Sequence, residues 1–100
     1  MELANRTERR AYRFINRLAN YYIGGCENTI SDYDEHDEEY IEAKATLDDH
    51  KSLVKDIYDM CMDDDDIGLD LGFASTKDIR FCGKKRIMEM CEAVVCACGY

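Results

Sequence analysis

The sequence contains no proline and no tryptophan, and glycine occupies only six of its 100 positions. Proline and glycine are the residues that most often interrupt helices, so their scarcity favours long, unbroken helical segments. Long apolar runs are also missing: the longest covers only residues 93–98, whereas a membrane-spanning helix needs about 20 apolar residues. The sequence therefore predicts a helical protein without a membrane span.

Basic residues are scarce as well, with 13 lysines and arginines against 22 aspartates and glutamates, a net charge of −9. The acidity is confined to residues 26–70, the acidic block, which contains 17 acidic and three basic residues and a local charge of −14. Residues 1–25 carry +3 and residues 71–100 carry +2. A block of one sign creates a directional field that attracts cationic partners.

Length, apolar content and cysteine usage bound the class of protein. One hundred residues with 46% apolar side chains predict a single acidic helical domain over residues 1–100, outside the disordered class. The N-terminal segment has no apolar core of signal-peptide length. We therefore expect an intracellular, cytoplasmic protein whose six cysteines are reduced thiols, all but Cys26 in apolar surroundings.

The spacing of apolar residues predicts an amphipathic helix over residues 3–23, ended by Gly24-Gly25 because glycine adopts the left-handed C′ conformation without penalty. Its apolar face consists of Leu3, Ala11, Phe14, Ile15, Leu18 and Tyr22. A second face, the arginine stripe, carries Arg6, Arg9, Arg10, Arg13 and Arg17. The simplest interpretation of the stripe is pairing with the acidic block, and a solvated face or contact with an acidic partner are the alternatives.

A second helix is predicted from about residue 31 to residue 62, with its weakest point at residues 46–49, where helix propensity is poor. An apolar seam with heptad spacing runs along it: Tyr33, His36, Tyr40, Ala43, Leu47, His50, Val54, Ile57 and Cys61. The far side carries Asp34, Glu35, Glu38, Glu42, Asp49, Asp56 and Asp59. We therefore expect a long helix with one apolar face and one strongly negative face.

The last third of the chain completes the predicted fold. Residues 63–74 leave the helical pattern, and alternating apolar residues make 67–73 the one candidate for a short extended segment. Residues 75–78 resemble a helix start, and Gly83 precedes a final helix over residues 84–98 that is apolar enough to be the buried centre. The predicted fold class is all-α: a small antiparallel bundle of three to four helices with a long acidic central helix.

The acidic block is the candidate site. If residues 32–66 formed one helix of roughly 50 Å, its charge spacing of about 4 Å would resemble the roughly 3.4 Å between phosphates of a nucleic-acid strand. Four adjacent carboxylates at residues 63–66, near a helix end, oppose local stability, and such conflicts are typical of functional segments. A solvated acidic face is the plain alternative. The candidate partner contacts are Asp34, Glu35, Glu38, Glu42, Asp49, Asp56, Asp63, Asp64, Asp65 and Asp66.

Motifs for catalysis and metal binding are missing. The sequence has no G-x-S-x-G elbow and no phosphate-binding loop. An EF-hand loop aligned on Gly68 lacks oxygen ligands at Ile67 and Ala74, and the cysteines contain no C-x-x-C spacing that would chelate zinc together with His36 or His50. We therefore expect no enzyme, no catalytic residues, no cofactor and no metal.

These patterns favour a small acidic protein that binds another protein and presents its carboxylates to a basic, nucleic-acid-binding surface. In size and charge alone it is analogous to phage antagonists of CRISPR or restriction systems; no motif carries that analogy. We expect a monomer or homodimer that binds neither nucleic acid directly nor membrane, because both are anionic. The alternative is a helical adaptor or homo-oligomer that pairs through the seam over residues 33–61, and a metal-dependent enzyme is the least favoured class.

Overall fold

The computed structural model describes residues 2–63 and 82–100, and all regular structure within these two ranges is helical. It contains α1 over Arg6–Asp32, α2 over Glu38–Asp48, α3 over His50–Asp63 and α4 over Lys84–Ala97. The predicted all-α helical bundle is confirmed. The extended segment expected at residues 67–73 and the helix start expected at 75–78 lie outside the described residues.

α1 passes through Gly24-Gly25 and continues to Asp32, so the helix stop predicted at the glycine pair is wrong. Neither glycine adopts the positive φ of a C′ residue. The apolar period continues past the pair, and Cys26 and Ile30 pack against the core. The packing of these two residues offsets the cost of the two helical glycines, roughly 1 kcal/mol each relative to alanine.

The long acidic helix predicted over residues 31–62 is wrong as a single element, because α2 and α3 are separate helices divided at Asp49. Residues 33–37 form a turn, in which the Asp37 N–H donates to the Asp34 carbonyl at 2.9 Å and the Asp34 N–H donates to Asp37 Oδ2 at 3.1 Å. Aspartate side chains that bind nearby backbone groups in this way favour turns over helix. The break at Asp49 confirms the weak point predicted there.

Most of the predicted seam is buried inside the chain. The buried members are Ala43, Leu47, Val54, Ile57 and Cys61. Tyr33 and His36 are exposed because they belong to the turn between α1 and α2, so the seam is predicted wrongly at these two positions. Tyr40 and His50 are half-buried. The seam therefore serves the core of its own chain.

α4 lies at the centre of the core, as predicted, and packs against α1 and α3. Its buried residues are Ile87, Met90, Cys91, Val94 and Val95. It begins after Gly83, whose φ of 81° lies in the left-handed region that favours glycine. α4 runs parallel to α1, since Arg86 contacts Glu8 near one end while the Cys98 thiol contacts Asn20 further along. The antiparallel arrangement expected of the bundle does not extend to this pair.

α2 is the most peripheral of the described helices, because only Ala43 and Leu47 of its residues are buried. All six cysteines are free thiols, as predicted, although Cys96 is exposed and not packed in apolar surroundings. Among the described residues, no helix combines the length and apolarity needed to cross a membrane.

Candidate protein-binding surface

Seven exposed carboxylates cluster where α1 ends, the chain reverses and α2 begins. This set, the acidic surface, consists of Asp32, Asp34, Glu35, Asp37, Glu38, Glu39 and Glu42. It includes four of the predicted contacts and adds three acidic neighbours from the same short stretch. Because the chain folds back at residues 33–37, the carboxylates form a patch on one part of the molecule and not the roughly 50 Å rod expected from a continuous helix.

The acidic surface has almost no compensation from within the described part of the chain. The one ion pair that reaches it there joins His36 Nε2 to Glu35 Oε1 at 3.6 Å, and both side chains are more than 70% exposed. The histidine contributes charge to this pair only when it is protonated. Exposed pairs of this kind contribute little, about 0–1 kcal/mol. Within the described ranges, the charge of the patch is therefore almost uncompensated.

Within the described ranges, four of the five arginines of the arginine stripe do not neutralise the acidic surface. Arg6, Arg9, Arg10 and Arg13 are exposed and form no ion pair with any acidic residue in ranges 2–63 and 82–100. The internal pairing predicted for these four guanidinium groups is therefore not found within those ranges. They lie on the N-terminal half of α1, whereas the acidic surface begins at its C-terminal end.

A different arginine pairs with the N-terminal part of α1. Arg86 of α4 donates to Glu8 Oε1 through Nη2 at 2.7 Å and through Nε at 3.1 Å, and to Glu89 at 3.0 Å. The Arg86 hydrogen bond, followed by that of the Ala4 N–H, lowers the pKa of the Glu8 carboxyl. Both acids lie outside the acidic block, so this network does not reduce its charge.

Asp49, a predicted partner contact, is the N-terminal cap of α3. Its Oδ1 accepts the N–H groups of Lys51 and Ser52 at 3.1 and 3.3 Å, and its Oδ2 accepts the Ser52 hydroxyl at 3.0 Å. These bonds, those of Ser52 first, lower the pKa of the Asp49 carboxyl. Because these bonds occupy both carboxylate oxygens, capping of α3 explains why an aspartate lies at this position.

Asp56, another predicted contact, is half-buried between α3 and α1. Its Oδ2 accepts the Tyr22 hydroxyl at 2.9 Å, across 34 positions of sequence. Burial, followed by this bond to a carboxylate, raises the pKa of the Tyr22 phenol. Asp63 ends α3, and Asp64, Asp65 and Asp66 lie outside the described residues.

A groove lies between the C-terminal half of α1 and α2, beside the acidic surface. Its volume is about 850 Å³, and its walls include Tyr21, Gly24, Gly25, Asn28, Glu39 and Glu42. Tyr21 is 68% exposed, the highest value among the large hydrophobic side chains of the described ranges. The sequence prediction missed this groove because it ended α1 at the glycine pair. The continued apolar period through Cys26 and Ile30 was the signal that could have revealed it.

Comparison with protein-family models, curated proteins and solved structures gave no match for this chain. Its function is therefore argued from the surface itself.

The turn between α1 and α2 also brings together Asp34, Glu35 and His36, whose ligand atoms lie within 4.8 Å of one another. A carboxylate and imidazole set can coordinate a divalent ion. All three side chains are exposed, however, and among the described residues no further ligand group joins the cluster. We assign no metal site to it.

Proposed function

We propose that this protein is an acidic, protein-binding inhibitor or regulator, which presents the acidic surface to the basic nucleic-acid-binding site of a partner. The observation that supports the proposal is the lack of compensation. Seven exposed carboxylates share one patch, and the described cations contribute only an exposed histidine contact to it. A basic cleft that binds phosphates would attract such a patch by long-range steering and by local complementarity.

The acidic surface allows a basic partner to bind in several orientations. Asp34 and Glu35 lie on the turn, whereas Glu38 and Glu42 are one turn apart on α2. A partner that normally binds a phosphate backbone carries lysines and arginines that would pair with these carboxylates. Occupation of that cleft would exclude nucleic acid by competition. The setting that we propose is inside the cell, in the cytoplasm, as with phage antagonists of CRISPR or restriction systems.

The test compares two double variants that change the net charge equally. Glu35→Gln/Glu42→Gln removes two of the seven charges of the acidic surface. Neither residue caps a helix or binds another described side chain strongly. Glu2→Gln/Glu92→Gln removes the same charge outside the acidic block. Each immobilised protein is exposed to cell lysate at about 50 mM salt, and bound proteins are then displaced by duplex DNA or by about 500 mM salt.

We expect the natural chain and the control to retain nucleic-acid-binding proteins, which DNA and high salt both release. The Glu35→Gln/Glu42→Gln variant should retain much less of them. A purified captured protein should then bind either DNA or this chain, and not both at once. The proposal is wrong if the two double variants capture the same proteins equally well, or if DNA leaves the complexes intact.

A further inference from the structure

The floor of the groove between α1 and α2 is formed by two glycines that the chain's own packing does not require. Gly24 and Gly25 lie inside α1 with ordinary helical φ, where alanine would be the better helix former. A Cβ added at either position would meet no atom within 4 Å. Neither backbone conformation nor close packing within the described chain therefore requires glycine there. The two residues leave the floor of the groove as backbone without side chains.

The walls above this floor combine an aromatic ring with two carboxylates. Tyr21 lines the groove from α1, and Glu39 and Glu42 line it from α2. No ion pair joins either glutamate to a cation within residues 2–63 and 82–100. The volume of about 850 Å³ lies within the range of roughly 300–1,000 Å³ in which proteins hold ligand groups. Such a groove favours a cationic occupant with a flat, partly apolar body.

We infer that this groove receives an arginine side chain from the basic surface of the partner, an inference that rests on the proposed function. Arginine fits better than lysine for two reasons. Its planar guanidinium stacks on an aromatic ring such as Tyr21, and its fork of N–H donors matches carboxylates such as Glu39 and Glu42. The bare Gly24-Gly25 backbone lets the segment that carries the arginine approach α1 closely.

The first test uses three short peptides that differ at one central residue, which is arginine, lysine or citrulline, in an otherwise neutral sequence. Citrulline keeps the shape of arginine and removes its charge. Titration of the isotope-labelled protein should shift the amide signals of Gly24 and Gly25 and leave Gly83 and Gly99 unchanged. The arginine peptide should bind about tenfold more tightly than the lysine peptide, and citrulline should abolish the shifts.

The second test fills the floor without damaging the fold. Gly24→Ala/Gly25→Ala adds two methyl groups to open space, so the variant should fold and its Tm should rise. We expect its affinity for the arginine peptide to fall about tenfold. Ser31→Ala is the matched control, because it also improves helix propensity in α1 but does not line the groove. Its peptide affinity should stay unchanged.

The outcomes separate this inference from the proposed function. Peptide binding at Gly24 and Gly25 that the double alanine variant weakens supports the inference. Any one of four results overturns it. These are amide shifts centred on the turn over residues 33–37, equal affinity for the arginine and lysine peptides, an undiminished affinity of the Gly24→Ala/Gly25→Ala variant, and no peptide binding. The proposed function is judged by the DNA-displacement experiment, which can succeed even if the peptide experiments show that the groove has no role.

Discussion

Two adjacent tyrosines of α1 have opposite environments although they are the same residue type. Tyr21 is 68% exposed and lines the groove. Tyr22 packs against the core and donates its hydroxyl to Asp56 Oδ2 at 2.9 Å. Successive side chains of a helix point about 100° apart, so the Tyr22 ring packs against the core although Tyr22, like Tyr21, borders the groove. This difference separates a tyrosine available to a partner from a tyrosine that stabilises the fold.

Tyr22→Phe should lower the free energy of unfolding by about 1.5 kcal/mol, because it leaves the half-buried Asp56 carboxylate without its hydrogen-bond donor. Urea denaturation followed by circular dichroism measures the change. Tyr21→Phe is the matched control and should alter stability by less than about 0.5 kcal/mol, since that side chain is largely exposed. Equal stabilities of the two variants would mean that water replaces the phenol at Asp56 without loss.

At the scale of the helices, one arginine holds the ends of α1 and α4 together. The Arg86 guanidinium contacts Glu8 and Glu89 through separate nitrogens, and its Nη2 also donates to the Glu2 carbonyl at 2.7 Å. Glu8 in turn lies three residues after the cap Asn5, whose Oδ1 accepts the Glu8 N–H at 2.9 Å. Glu8 Oε1 also accepts the Ala4 N–H at 3.1 Å, so one carboxylate serves both the start of α1 and its attachment to α4.

Glu8→Gln should destabilise the protein at neutral pH and much less in acid. The folded-state pKa of Glu8 lies below its ordinary value of 4.5, chiefly because of the Arg86 hydrogen bond. Its stabilising contribution is therefore complete above pH 4.5 and is lost as the pH falls through the folded-state pKa. Thermal denaturation of both proteins at about pH 7 and about pH 3 should show a difference in Tm that narrows towards acid.

Glu42→Gln provides the comparison, because Glu42 is exposed and forms no ion pair with a described cation. The Tm of this variant at neutral pH should not fall below that of the natural chain. A Glu8→Gln variant as stable as the natural chain at neutral pH would contradict the role assigned to the Arg86 contact.

The sequence predicted helices best where apolar spacing and packing agree. The prediction for α4 agrees with the structure almost to the residue, because apolar residues surround this helix and five of them are buried. The predicted α1 is too short, because the glycine pair favours a helix end while the apolar period continues to Ile30. In the turn at 33–37, the aspartate hydrogen bonds overcame a heptad pattern that Tyr33 and His36 fitted by coincidence.

The candidate site was predicted in outline and not in shape. The clustering of charge follows from composition, so Asp34, Glu35, Glu38 and Glu42 are exposed as expected. The roles of Asp49 and Asp56 depend on contacts that only the fold creates, a helix cap and a tyrosine from another helix. The groove depends on α1 continuing past Gly24-Gly25, where the sequence prediction had ended the helix.

At the scale of the whole molecule, charge is separated along α1. Exposed Arg6, Arg9, Arg10 and Arg13 occupy its first half, and the acidic surface begins where it ends. Attraction between the two groups inside the chain would have stabilised the fold. Within the described ranges that attraction is not used, so like charges remain close together at the acidic surface. The arrangement opposes stability and favours an encounter with a basic partner.

This balance predicts that salt should stabilise the protein. At about 10 mM ionic strength the screening length is roughly 30 Å, long enough for all seven carboxylates of the acidic surface to repel one another, and at about 150 mM it falls to roughly 8 Å. The Tm should therefore rise between these two conditions. The Arg86–Glu8 attraction is screened less, because both side chains are mostly buried, with 28% and 16% exposure.

Glu35→Gln/Glu42→Gln should raise the Tm at low salt and reduce its dependence on salt, whereas Glu2→Gln/Glu92→Gln should change both less. The variant that binds a basic partner poorly should thus be more stable than the natural chain. A charged binding surface lowers stability in return for function. A Tm that falls with added salt, or a Glu35→Gln/Glu42→Gln variant less stable than its control, would mean that repulsion within the acidic surface is negligible. The uncompensated charge would then not lower the free energy of unfolding. That destabilisation is what distinguishes a selected binding surface from an ordinary solvated one.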